Sequence, residues 1–193
     1  MLPYDYRGRL PELATKEAIS TCVAQPEDAA ALADLHIRSA QQGFKHIFSG
    51  DPLAPSKDEL TTDWTAWLWA KPALARRAIT VKRGERIVGV IVAGFDHEAD
   101  PTLGRLTRAY VDPEVWGSRV AQLMFNAAIG RLREIGCTRA VTWIMEPNHR
   151  ARKTVEHLGM HLTGERQPTC ERAAGSGCSA VEDVEYEILI PSG

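Results

Sequence analysis

Between Leu103 and Met145 the sequence runs apolar strand, turn, amphipathic helix and apolar strand, and no other stretch restricts the fold as much. Two strands joined through a helix lie parallel when they share a sheet, because the helical crossover returns the chain to the same end. The first strand, Leu103 to Val111, stops at Asp112-Pro113, and the chain turns through Trp116-Gly117-Ser118. A helix follows at once. The spacing predicts that it runs from about Gly117 to Ile135 and buries Val120, Leu123, Met124, Ala127, Ala128, Leu132 and Ile135, with Gly136 capping its end. Thr138 to Met145 is the returning strand, rich in β-branched residues. The joint leaves the first helical N–H groups unpaired beside the positive end of the helix dipole. A phosphate or pyrophosphate suits such a place, although an ordinary strand–turn–helix connection has the same appearance.

The flanks complete a mixed pattern. Thr21 to Ala24 reads as a short strand, and Gln25-Pro26-Glu27-Asp28 starts a helix whose apolar face is Ala31, Leu32, Leu35 and Ile37, running on to Gly43-Phe44. After a Ser49–Pro55 loop, Lys57 to Ala70 carries Leu60, Trp64, Trp67 and Leu68 at helical spacing. The trio Trp64, Trp67 and Trp69 suits either a pocket wall or core packing. Ala78–Lys82 and Arg86–Gly94 form a hairpin candidate around Gly84. Beyond Met145 come a short helix from Asn148 to Leu158, a strand beginning at Met160, a loop from Gln167 to Ala180 and a last strand from Val184 to Ile190. The expected fold is α+β: a central mixed, mostly antiparallel sheet of six to seven strands flanked by about four helices. Residues 20–190 form one domain, and residues 1–19 an N-terminal extension.

Composition removes several function classes. A chain of 193 residues, 44% of them hydrophobic, can bury one substantial core. The net charge of −2 gives no general pull toward nucleic acid or an anionic membrane. No apolar run is long enough to span a membrane, and Met-Leu-Pro-Tyr-Asp-Tyr-Arg lacks a signal-peptide layout, so a cytoplasmic location is expected. Cys22 and Cys137 fall in or beside core strands. Cys170 and Cys178 flank a Gly/Ser/Ala loop, where free thiols fit a cytosolic protein better than a bridge. No metal-ligand spacing occurs.

Several short motifs then fall into a family order. They are Tyr110-Val-Asp-Pro-Glu-Val-Trp-Gly117, the small-residue turn Gly117–Ala121, Trp143-Ile-Met-Glu-Pro-Asn-His-Arg-Ala151, Glu156-His-Leu-Gly-Met160, and upstream Ser39 to Phe48. In that order and spacing, residues 20–190 resemble the GNAT superfamily of N-acetyltransferases. The resemblance implies two central strands splayed at an acyl-CoA cleft, with the pantetheine arm of acetyl-CoA as a surrogate strand. Tyr110 and Val111 would pair with its amides. Trp116, Gly117, Ser118, Arg119, Val120 and Ala121 would form the pyrophosphate cradle. Asn148 would take a pantetheine amide, and Arg152 would reach a phosphate unless it is simply solvated. No metal is implied. The acceptor would be an amine of a small molecule or peptide, entering past Phe44, Phe48 and Trp64, and the protein a monomer or homodimer.

Three departures bear on the chemistry. Arg119 stands where the family carries glycine: it is strained if the position needs φ > 0, and free to approach a phosphate if its dihedrals are helical. Val155 replaces the family's tyrosine acid, and Arg105 the glutamate base. Candidate substitute bases are His97 and Glu98, beside Asp96, and Glu146 near the cleft. The losses also suit a competing reading, a non-catalytic acyl-CoA-binding or regulatory domain.

Overall fold

The computed structural model describes residues 18–48, 56–69, 75–97, 100–169 and 181–191. Seven strands form one sheet: β1 (Ile19–Val23), β2 (Arg77–Arg83), β3 (Arg86–His97), β4 (Asp100–Val111), β5 (Arg139–Met145), β6 (His161–Pro168) and β7 (Glu182–Leu189). The helices are α1 (Ala29–Phe44), α2 (Lys57–Trp69), α3 (Val120–Glu134) and α4 (His149–His157). Across the sheet the order is β1-β2-β3-β4-β5-β7-β6. Every neighbouring pair is antiparallel except β4 and β5, which the α3 crossover makes parallel. This is the mixed, mostly antiparallel α+β architecture that the sequence predicts.

Two apolar layers cover the middle of the sheet. On one face α1 and α2 bury Leu32, Leu35, Leu60 and Trp64 against Val90, Val92 and Tyr110. On the other, α3 buries Val120, Met124, Phe125, Ala128 and Leu132 against Ile79, Val81, Ile91 and Leu106. Strand β3 reads as an unbroken apolar run because both of its faces are covered. Details of the expected stripes shift. Ala31 is exposed, and Ala29, Ala33 and Ala40 join Leu32 and Leu35 inside. Phe125 is buried, while Leu123, Ala127 and Ile135 only pack against the core edge. The tryptophan trio splits: Trp64 is fully buried, Trp67 meets it edge-on at 6.1 Å, and Trp69 is exposed. Strand β6 runs on to Pro168, further than the expected loop boundary. Cys170, Cys178 and residues 1–17 lie outside the described residues.

The parallel pair is short. Strands β4 and β5 are in register only at Leu103↔Arg139, Gly104↔Ala140 and Arg105↔Val141. One further tie, from the Thr142 hydroxyl to the Leu106 carbonyl (3.0 Å), closes the joined segment. Beyond it the strands part. On the other side of β4 the register with β3 steps from Val92↔Thr107 to Val90↔Tyr110, so β4 carries one extra residue there. That bulge contains Arg108, whose φ of 46° is left-handed. The joined segment needs close packing against α3: a Cβ at Gly104 would stand 2.8 and 2.9 Å from the two methyls of the buried Leu132. Gly104→Ala should therefore destabilise the fold by about 1–3 kcal/mol through overpacking. Urea unfolding of the two proteins measures this, and an unchanged midpoint would show that Leu132 yields freely.

Candidate active site at the parted strands

Where β4 and β5 separate they leave a cleft of about 330 Å³. One wall is Leu106 to Val111 of β4, and the other is Thr142 to Met145 of β5. Met124 and Phe125 of α3 and Ala151 and Val155 of α4 lie along one side, and Ser39, Gly43 and Phe44 of α1 along the other. Because Asp112 N–H donates to the Val88 carbonyl (2.9 Å), strand alternation turns the peptide groups of Val111 away from β3, toward the cleft. The Val111 carbonyl accepts from the Trp116 indole N–H at 2.9 Å.

At the mouth of the cleft, a 3₁₀ turn at Pro113–Val115 leads through Gly117 into α3. The left-handed residue of this joint is Gly117, with φ 79°, whereas Arg119 has φ −77° and ψ 2°. Arg119 is therefore unstrained, and the glycine lost at 119 is supplied two residues earlier. Ser118 N–H donates to the Val115 carbonyl and Val120 N–H to the Ser118 hydroxyl. The N–H groups of Gly117, Arg119, Ala121 and Gln122 have no acceptor among the described residues. Together with the positive end of the dipole of the 15-residue helix α3 they gather unpaired donors of the kind an anion suits.

Asp112 fixes this turn. Its buried carboxylate accepts from the Glu114 N–H (3.1 Å), from Arg38 (2.9 Å) and from Arg86 (2.7 Å). Burial alone would raise its pKa, but the backbone N–H and the two guanidiniums outweigh it and hold the group below the usual carboxylate range. Across the mouth, the Arg150 guanidinium at the start of α4 stands 4.0 Å over the Trp116 ring, so a cation–π contact joins the two banks. Asn148 caps α4, its side-chain oxygen accepting from the Ala151 N–H at 3.2 Å, which leaves its NH₂ for another acceptor.

Of the residues singled out in the sequence, Phe44, Tyr110, Val111, Trp116, Gly117, Ser118, Ala121 and Asn148 line the cleft. Others stand elsewhere. Val120 is core, lying against Gly89, and Arg119 is exposed outside the lining. Arg152 is turned inward: its Nε donates to the Tyr186 hydroxyl (3.0 Å) and an Nη to the Glu146 carbonyl (3.1 Å), so it is held within the protein rather than in the cleft. Phe48 meets Phe44 edge-on at 6.4 Å, behind the wall. Trp64 is no wall at all but a buried core side chain.

The proposed bases are likewise dispersed. His97 is exposed at the β3–β4 turn, and Glu98 lies outside the described residues. Glu146 is clamped by Arg166 at 2.7 and 3.0 Å, which holds its carboxyl below the ordinary range and makes it a weak base. Asp96 is ion-paired to Arg105, the residue at the family's glutamate position. Sequence reasoning missed three cleft residues, Arg108, Arg150 and Asp183, and also His36. His36 stacks on Tyr110 with ring centroids 4.0 Å apart. Burial first, and then Arg108, push its pKa down to about 4 against the pull of Asp63, so the imidazole is neutral at neutral pH.

Comparison with known proteins gives the same direction. A family model described as the Acetyltransferase (GNAT) family matches residues 24–160. An N-acetyltransferase from Thermoplasma acidophilum in complex with coenzyme A is 14% identical, with 89% of this chain and 99% of that one covered at a TM-score of 0.67. A phosphinothricin acetyltransferase of the GNAT superfamily from Sinorhizobium meliloti, in complex with acetyl-CoA, is 15% identical, with 91% and 90% covered at a TM-score of 0.66. An N-acetyltransferase from Staphylococcus aureus is 14% identical, with 90% and 99% covered at a TM-score of 0.67. No curated protein matches the sequence.

The Asp112 cluster sets an acid limit on the site. A carboxyl whose folded pKa is depressed contributes stability that is fully present above the unfolded value of about 3.9 and lost as pH falls through the folded one. Asp112→Asn should cost about 1–3 kcal/mol at neutral pH, a figure reduced from that of a fully buried pair because the guanidiniums are half exposed. It should also flatten the loss of stability below about pH 4. Urea midpoints across pH 3–7 for both proteins check this, and parallel curves would exclude the role.

Proposed function

The chain belongs to the GNAT acetyltransferase family and is an acetyl-CoA-dependent acyltransferase, and from that premise we propose that it acetylates a primary amine of a small molecule or peptide by direct attack within a ternary complex. The observation that carries this reading is the parted parallel pair, β4 with β5, opening beneath four unpaired N–H groups at the start of α3. These groups fit the coenzyme: an exposed strand edge for amides, and a dipolar cradle for a pyrophosphate. No group of three or more metal-ligating side chains occurs among the described residues.

The co-substrate supplies an already activated acyl thioester. The protein's own share is then chiefly alignment, which can contribute up to roughly 7–11 kcal/mol. On this reading Val111 N–H polarises the acyl oxygen, Asn148 NH₂ holds a pantetheine carbonyl, and the N–H groups of Gly117, Arg119, Ala121 and Gln122 bind the phosphates. The acceptor comes from the α1 side, past Ser39, Gly43 and Phe44. Val155 cannot protonate the departing thiolate, but a thiol pKa of about 8.5 makes it a tolerable leaving group without help. Water relays the proton from the amine, because Glu146 and Asp96 are tied to arginines. Those same engaged carboxylates favour the second reading, a domain that binds acyl-CoA without turnover.

Two measurements separate these readings. Calorimetry should show acetyl-CoA binding, and free thiol should be released when a panel of primary amines is added. Binding with no turnover on any amine would favour the non-catalytic domain. Ala121→Asp places a carboxylate within the first turn of α3, where the helix dipole tolerates or even favours it by about 0.3–1 kcal/mol. The variant should keep its thermal stability yet bind acetyl-CoA at least about tenfold more weakly, from like-charge repulsion at the phosphates. Unchanged affinity would move the phosphates away from this helix.

A further inference from the structure

We propose that Asp183 is the residue that selects the acceptor, holding it through a cationic amine; this rests on the transfer reading above and names its substrate class. Asp183 is the one carboxylate that lines the cleft among the described residues. It stands at the start of β7, paired across the sheet with Met145 of β5. Cross-strand partners share a face, and the next residue, Val184, is packed into the α3 core. Asp183 therefore faces the opposite side, the side of α1, together with Trp143 and Met145.

Several acids near the cleft are taken up by arginines, and others, Glu185 and Glu156, stand outside its lining. Glu146 and Glu182 are held by Arg166, Glu187 by Arg139, Asp112 by Arg38 and Arg86, and Asp63 by Arg108. No basic side chain pairs with Asp183 among the described residues. One of its oxygens, Oδ1, accepts the hydroxyl of the buried Thr169 at 2.6 Å, which orients the group and leaves Oδ2 unused. With no counter-ion among the described residues, a carboxylate on this largely apolar wall is costly to keep charged unless a cation arrives. The substrate of this reaction supplies one, since an alkyl amine travels as ammonium.

Two further features shape the ligand. Phe44 and Trp143 line the same cleft, and aromatic rings suit an apolar body bearing a cation. The Trp143 indole N–H is buried with no acceptor among the described residues, so a ligand oxygen in reach would satisfy it. The class indicated is a primary amine on an apolar or aromatic body, with a hydrogen-bond acceptor elsewhere on the molecule.

The test uses tyramine and tyrosol, which share a phenol and differ in carrying ammonium or hydroxyl on the ethyl arm. Each is titrated by calorimetry into the full chain loaded with coenzyme A. Wild type should bind tyramine at least about tenfold more tightly than tyrosol, as one charge-assisted hydrogen bond allows. Asp183→Asn should lose most of that preference while binding tyrosol and acetyl-CoA as before. Should Asp183→Asn fail to fold, Asp183→Glu keeps the charge but displaces it, and should weaken tyramine alone by several fold. Equal binding of the two probes, no binding of either, or a preference that survives Asp183→Asn overturns the proposal. Loss of acetyl-CoA binding in wild type would instead strike at the transfer reading, and the two failures are told apart in one set of samples.

Discussion

Strand β4 is paired with β3 from end to end but with β5 over only a short segment, and the site exists because the other edge of its far half stays open. Three register pairs, at Leu103, Gly104 and Arg105, join it to β5; beyond them β5 falls away while the pairing with β3 continues to Val111. Peptide groups stranded at the depth of a sheet are costly, so the strands would close if nothing prevented it. Several contacts on the α1–α2 side prevent it. At the bulge Arg108 reaches toward α2, where its guanidinium meets Asp63 at 2.7 Å and lies 5.0 Å from the Trp64 ring. Tyr110 is held by the His36 ring, and Asp112 by Arg38 of α1 and Arg86 of β3. The far half of β4 is thus fastened to the first two helices rather than to β5. A left-handed φ at a non-glycine residue costs on the order of 1–2 kcal/mol, and this ring of contacts offsets it.

The same division organises charge. Acidic side chains around the rim are neutralised by arginines, which keeps the walls of the cleft largely apolar. The charged residues that line it are few: Arg150 near the start of α3, Arg108 at the bulge with its counter-ion, and Asp183 on the α1 side. Positive potential from the start of α3 and from Arg150 lies at the end suited to an anionic coenzyme. Asp183, with no basic partner among the described residues, lies on the α1 side. On the proposed transfer reading, such polarity would steer two oppositely charged substrates to opposite ends of one groove with very few charges.

Much of this was legible in the sequence, for a physical reason. Strand, turn and helix between Leu103 and Glu134 are specified locally, by β-branched runs, a proline, a glycine and an amphipathic stripe, so the cradle could be located to within a residue or two. The bulge at Arg108 could not: it depends on how β3 and β4 share a register, which no local pattern records. Trp64 was ambiguous because an aromatic at helical spacing serves a core and a pocket wall equally well, and tertiary packing decided for the core. Arg152 and Arg150 are two residues apart on one short helix, and only its rotation about the sheet turns one toward Tyr186 and the other over Trp116. Asp183 was invisible because its strand reads as an ordinary alternation, and its cleft belongs to a different pair of strands.

The chemistry follows from what these replacements leave behind. Exchanging a glutamate for Arg105 reverses a charge on a central strand, and a half-buried guanidinium there needs a counter-ion. Asp96 supplies it, which removes that carboxylate from any role as base. Val155 presents an apolar surface to the cleft in place of an acid. With Val155 and Arg105 at the family's acid and base positions, the proposed transfer would draw its rate enhancement chiefly from holding the two substrates in register and excluding water from the apolar walls. That demand falls on rigidity. Rigidity is what the bulge, the arginine-clamped Asp112 and the Tyr110–His36 stack supply. The neutral state of His36 matters in the same way: a charged imidazole wedged between Tyr110 and Arg108 would repel the guanidinium and loosen the strand that carries the acyl end of the site.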